Sequence, residues 1–213
     1  MMASASSSRG HSRFTQMSQI TDRLYLSGLR DVTVHNLRLR NIAYVFNITL
    51  EAPMINCPGV HCVRVAINDV HGENIFCHFD TIADQLHYLM ANNHNVLVHC
   101  VAGISRSASI VLAYLMKYLQ MELRVAYKFL HTKRPIVRPN SSFFRQLIQY
   151  EALLFGKNTV EMTTIQSFDD KTIEVPDLYV KEYKKMALLE MVIKRRNKLQ
   201  QRLQNFQGHF SQQ

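Results

Sequence analysis

The sequence predicts an α/β fold: a central mixed sheet flanked by helices, with a C-terminal helical extension. Short apolar strands alternate with helical stretches over the first 118 residues, several helices then follow in succession, and a long basic run closes the chain. Strands and helices in that order suit a sheet covered by helices better than a bundle or a sandwich.

Each element has its own signal. "QITDRLYLSG" reads as a first strand ending at Gly28, and "IAYVFNITL", residues 42–50, as a buried strand rich in β-branched and aromatic residues. In residues 60–69, Val63, Val65 and Ile67 alternate with their neighbours until Asp69, where a loop begins before His71-Gly72. From Phe76 to Met90, Phe79, Ile82, Ala83, Leu86 and Leu89 recur at helical spacing, with Asp80 and Asp84 on the opposite, solvated face. "NVLVH" is the next buried strand, and Ser105 to Tyr118 a strongly apolar helix. "ELRVAYKFLHTKR" predicts a further helix halted by Pro135. "NSSFFRQLIQYEALLFG" predicts another, capped by Asn140 or Ser141 and stopped at Gly156. Val180 to Phe206 is read as a final helix. Leu189, Val192, Leu199, Leu203 and Phe206 fall near one seam of it, which Arg196 interrupts.

The 213 residues suffice for one domain with tails and a core that needs no disulfide or metal. Hydrophobic residues at 47% and charged residues at 19% match a globular chain, and no apolar run approaches the length of a membrane span. "MMASASSSRGHSRF" lacks the apolar stretch of a secretory signal, so a cytosolic or nuclear location is expected, ahead of a mitochondrial one suggested by its Ser and Arg content. Cys57, Cys62, Cys77 and Cys100 show no metal or disulfide spacing and are expected to be free thiols. From Asp177 onward eight Lys and Arg stand against three acids, which concentrates +5 of the net +9 in the tail. Such a segment suits an acidic protein or a membrane surface, or is simply a solvated helix. No specific nucleic acid is predicted.

The stretch "VHCVAGISRSAS" carries the chemistry. A thiol attacks as its thiolate, and an unperturbed cysteine is only about 3% ionised at pH 7, so an anion-stabilising setting is required. A strand ending at His99 and a helix starting near Ser105 leave Cys100 at the mouth of a helix N-terminus, where unpaired amides favour negative charge. Ala102 and Gly103 keep side chains out of such a cradle, and Arg106 offers a planar fork for two phosphate oxygens. The alternative is a buried structural thiol at a tight turn. Expelling an alkoxide or phenolate also needs an acid. Asp69, at a strand end, is preferred over Glu73 and over the helical Asp80 and Asp84. Arg134 and Arg138 are read as solvated cations, ahead of a role in attracting phosphopeptides.

"HCVAGISRS" resembles the His-Cys-x5-Arg signature of the protein tyrosine phosphatases, and its interior is similar to that of the atypical dual-specificity phosphatases. "FDTIAD", "AYLMKY", "RPIVRPN", "LIQYEALLFGKNTVEM" and "VPDLYVKE" extend the resemblance over about residues 18–182. It implies a phosphatase domain over residues 18–158 and its extension over 159–182, and leaves outside it a leader over 1–17 and a basic tail over 183–213. It also implies Cys100 as nucleophile and Arg106 with the amides of Val101, Ala102, Gly103, Ile104 and Ser105 as the phosphate cradle. Ser107 is implied to stabilise the leaving thiolate, His99 to tune the cysteine, and Asn140 to lie against the loop as well as capping a helix. The strand-end segment "VAIND" matches the one that supplies the acid, although Val70-His71 departs from the family's usual continuation. The implied activity is hydrolysis of phosphotyrosine and phosphoserine or phosphothreonine in proteins, with no cofactor and no metal. MAP kinases or proteins acting upstream of them are the implied substrates. The loop brings no Lys or His at its variable positions, which disfavours the relatives that take phosphoinositides or RNA triphosphates. A phosphoprotein-binding module without turnover is the alternative reading.

Overall fold

The computed structural model describes residues 16–166 and 172–210, the last nine by backbone alone. It divides into two units, one up to Thr159 and one from Val160. Most of the leader expected over residues 1–17 lies outside the described residues, but Met17 is buried in the core.

The first unit is built on a five-stranded sheet in the order β1-β2-β5-β3-β4. Its strands are β1 (Ser18–Gln19), β2 (Leu24–Gly28), β3 (Ile42–Asn47), β4 (His61–Arg64) and β5 (Asn95–Cys100). β1 runs antiparallel to β2, and the remaining pairs are parallel. The sheet is therefore mixed, and β5 enters last, between β2 and β3. In the register of those pairs Gly28 lies beside Cys100 and Asn47 beside His99, so the strands end together around the cysteine. Open parallel sheets present their ligand crevice at such carboxyl ends, where the strand order switches.

Alternation along the strands buries both faces. Tyr25, Leu97 and Val45 share one row and pack with Leu37 of α1 (Val34–Leu39). Leu24, Leu26, Val96 and Val98 point to the other face, where α2 (Phe76–Ala91) and α3 (Arg106–Leu119) cover β5. Eleven consecutive residues of α3, Arg106 to Met116, are buried. A helix apolar on all sides has to be central, and α4 (Leu123–Lys133) and α5 (Ser141–Phe155) pack around it. α5 is capped by the Asn140 side chain, which accepts from the Phe143 amide, and ends at Gly156 with φ +68°, as its sequence signals.

Four expectations about the fold need correcting. The single strand read over "QITDRLYLSG" is two, β1 and β2, which turn back on each other. The strand read over residues 42–50 stops at Asn47, and the one read over 60–69 leaves the sheet after Arg64. In both segments an apolar alternation continues past the last available partner strand. Asp80 and Asp84 are exposed but not merely solvated: Lys117 of α3 reaches both, at 2.8 and 2.6 Å.

The second unit opens with an antiparallel hairpin of β6 (Met162–Gln166) and β7 (Thr172–Pro176), which the sequence reading left without structure of its own. α6 (Val180–Phe210) follows and exposes Leu188, Leu189, Val192, Ile193 and Leu199. Among the described residues no helix is long and apolar enough to cross a membrane.

Candidate active site

β5 ends on His99 and Cys100, both buried. Residues 101–105 turn the chain into α3, which begins at Arg106. The turn is close because two glycines allow it. Gly103 adopts φ +67°, and a Cβ there would stand 2.4 Å from the Ser27 carbonyl oxygen. A Cβ on Gly28 would lie 3.0 Å from the carbonyl oxygens of Val101 and Ala102. The loop thus rests directly on the end of β2, where the Leu29 amide also donates to the Val101 carbonyl at 2.9 Å.

Two donors converge on the Cys100 sulfur: the Gly103 amide at 3.2 Å and the Ser107 hydroxyl at 3.1 Å. The sulfur is thereby held in reach of two donors. His99 stands beside the cysteine. Its Nδ1 meets the Cys100 carbonyl at 3.2 Å, and burial pushes its pKa below the usual histidine value, against the effect of that contact. Its contact with the cysteine is to the backbone carbonyl.

Arg106 is buried and partly engaged. Its Nη1 donates to Glu51 Oε2 at 2.9 Å and to the Ile67 carbonyl at 3.0 Å, and its Nη2 to Glu51 Oε1 at 2.7 Å. Nε has no hydrogen-bond partner, and Asp69 Oδ2 stands 3.8 Å from it. A guanidinium has five N–H bonds in a planar fork. Three are used, and the two left over, on Nε and Nη2, share one edge, which is the geometry that grips an oxyanion side-on. Burial opposes the Arg106 charge, but the bond to Glu51 and the charges of Cys100 and Asp69 raise its pKa above the ordinary arginine value. The Arg106 hydrogen bond in turn holds Glu51 down at about 2.

Asp69 is brought to the same place. Its Oδ1 accepts from Ser105 Oγ and from Asn140 Nδ2, both at 2.8 Å, which leaves Oδ2 turned toward Arg106. The Asn140 amide also donates to Ser105 Oγ at 3.1 Å, so Asn140 both caps α5 and ties that helix to the loop. Glu73 is occupied elsewhere, accepting from the Asn68 amide. Asp69 thus links Ser105, Asn140 and Arg106, while Ser107 holds the Cys100 sulfur on the same loop, and all four cysteines are free thiols.

The chain is similar to known proteins over most of its length. Residues 24–153 match the model for the dual specificity phosphatase catalytic domain. The chain is 39% identical to human dual specificity protein phosphatase 14, over 83% of this chain and 94% of that protein. It is 39% identical to bovine dual specificity protein phosphatase 18, over 81% and 90%. The chain belongs to the dual-specificity phosphatase family. It is accordingly a protein phosphatase and a cysteine-based hydrolase. Among solved structures, a mouse dual specificity phosphatase complexed with zinc tungstate superposes with a TM-score of 0.65 at 26% identity, covering 72% of this chain and 96% of that one. Human DUSP28 superposes with a TM-score of 0.64 at 26% identity, covering 66% and 99%.

Two residues of the phosphatase site escaped the sequence reading. Glu51 follows β3 in a turn braced by the buried Asn47 side chain, which donates to the Ala52 carbonyl at 3.2 Å and accepts from Thr49 Oγ1 at 2.6 Å. Its only signal was an acid just past a strand end, the same signal that singled out Asp69. Arg134, read as solvated, is 2% exposed, with its guanidinium against the back of the loop. Nothing local to "TKRPIV" distinguishes it from Lys133, which is exposed. Arg138 is half-buried, and its amide donates to the Ile104 carbonyl at 2.8 Å.

Proposed function

We propose that the enzyme hydrolyses phosphotyrosine and phosphoserine or phosphothreonine in proteins through a phosphocysteine intermediate. The observation that carries this is the pairing of an acceptor sulfur at Cys100 with an unfilled edge on a buried Arg106. In the first step Cys100 Sγ attacks phosphorus, the S–P bond forms and the P–O ester bond breaks. Arg106 and the loop amides, among them that of Gly103, hold the equatorial oxygens, and protonated Asp69 gives its proton to the departing oxygen. In the second step water attacks phosphorus and passes a proton to Asp69, while the S–P bond breaks. The departing thiolate is met by the Ser107 hydroxyl, which stands 3.1 Å from the sulfur.

MAP-kinase signalling proteins are the substrates we propose, on the strength of the family. A nucleophilic thiol needs a reducing compartment, which favours the cytosol or nucleus. The basic residues of α6 stand exposed at Lys184, Lys185, Lys194, Arg195, Arg196 and Lys198, and we assign them an acidic protein or membrane-surface partner.

The test is turnover of an aryl phosphate by the full chain with orthovanadate as inhibitor. Turnover blocked by micromolar vanadate supports the reading. A folded protein that binds vanadate but releases no phosphate leaves only the binding-module reading standing.

A further inference from the structure

Behind the phosphate loop lies a buried cation that the chemistry above does not use. Arg134 follows α4, and its Nε donates to the Gly103 carbonyl at 2.8 Å, while Nη2 donates to the Ala102 carbonyl at 3.2 Å. Its Nη1 reaches the Gln16 carbonyl at 2.8 Å and Ser18 Oγ at 3.4 Å. A peptide unit that turns its amide toward a bound anion turns its carbonyl away from it. In this loop two adjacent outward carbonyls, that of Gly103 buried and that of Ala102 partly so, end on one guanidinium. Left unpaired, such groups would favour rotation of the peptide units and carry the amides out of the cradle. The Gly103 amide, which donates to Cys100 Sγ, belongs to the peptide unit of Ala102, whose carbonyl Arg134 holds.

We infer that Arg134 is a positioning residue of this phosphatase: it fixes the peptide planes of Ala102 and Gly103 from behind and so keeps the loop amides aimed at the phosphoryl group. The inference rests on the phosphocysteine reading and adds a residue to it. Three features favour arginine over lysine. The two carbonyls need a planar fork, the third contact lies on β1 and the residues before it, and a less strongly hydrated cation is easier to bury. Burial lowers the Arg134 pKa from the ordinary arginine value, with the charges of Asp31 and Cys100 opposing that shift. The site therefore has cations on both sides of one loop: Arg106 toward the substrate with an open edge, and Arg134 on the far side bonded to backbone.

Arg134→Met and Arg134→Lys test it in the full chain, with folding checked by circular dichroism and thermal melting. The readouts are kcat and KM for an aryl phosphate, the inhibition constant for orthovanadate, and the rate of Cys100 alkylation by iodoacetate at pH 6. Arg134→Met is expected to weaken vanadate inhibition about 10-fold or more, to slow alkylation several-fold and to lower kcat/KM about 100-fold. Arg134→Lys, which keeps the charge but loses the fork, should recover only part of each. A folded Arg134→Met within twofold of wild type in vanadate inhibition and kcat/KM overturns the inference. Should that variant not fold, a wild-type-like Arg134→Lys overturns it equally, because a charge without the fork would then suffice. Failure of the phosphocysteine reading is distinguished by the wild type itself, which would then show no turnover.

Discussion

The phosphate loop and α6 both gather cations, and they use them in opposite ways. Around the loop Arg106 and Arg134 are 5% and 2% exposed, and their bonds run to named carboxylates and carbonyls. On α6 the residues from Lys194 to Lys198 are all exposed. A buried guanidinium must be paired, so its partners fix where it points and which N–H bonds remain for a ligand. An exposed one contributes a screened field that names a sign of charge but not a shape. Substrate chemistry should therefore reside almost wholly in the loop and its braces, with little contributed by the tail.

The largest effect that comparison predicts is at the sulfur. Cys100→Ser should reduce turnover of an aryl phosphate by about 10⁴-fold or more while the protein still binds vanadate, since the cradle stays intact. Undiminished turnover would break the contrast altogether. Next comes Asp69→Ala, expected to lower kcat by about 10²- to 10³-fold for alkyl phosphates and by less for aryl esters with good leaving groups. Only a protonated acid can donate, so the variant should also lose the basic limb of its pH–rate profile; equal losses for good and poor leaving groups would remove Asp69 from the role.

Smaller effects sharpen the comparison. Glu51→Gln should raise KM about 10-fold with less change in kcat, because Arg106 loses the carboxylate that orients its open edge. The same pair sets a pH dependence of stability. Arg106 lowers Glu51 from 4.5 to about 2, so the stabilisation is complete above about 4.5 and is lost as pH falls toward 2. The difference in Tm between wild type and Glu51→Gln should accordingly be present at pH 7 and shrink on acidification below 4.5; a constant difference would place the role of Glu51 elsewhere. Because the Glu51 side chain is 52% exposed, solvent screening keeps that difference small. The smallest effect belongs to the tail: removing residues 183–213 should leave kcat/KM for an aryl phosphate within about twofold, and a large loss would give α6 a part in the chemistry.

Much of this site was legible in the sequence because its parts are local. Cys100, Gly103, Arg106 and Ser107 lie on one strand-loop-helix segment, where spacing alone dictates that a sulfur, a turn and a helix N-terminus coincide. Asp69 could be found because strand ends converge at one edge of a sheet. The hairpin of β6 and β7 went unseen because two five-residue strands with mixed polarity give no strong period.

By itself, then, the sequence determined the α/β order of elements, the buried helix behind Cys100, and the residue types of an anion cradle, all of which depend on periodicity and near-neighbour geometry. Tertiary structure alone decided the partners of the cations. Glu51 meets Arg106 across 55 positions, and Arg134 meets Gly103 across 31 and Gln16 across 118. No local pattern encodes such distances. A charged side chain reads the same in sequence whether it faces water or the inside of the fold, and only the packed sheet and helices determine which.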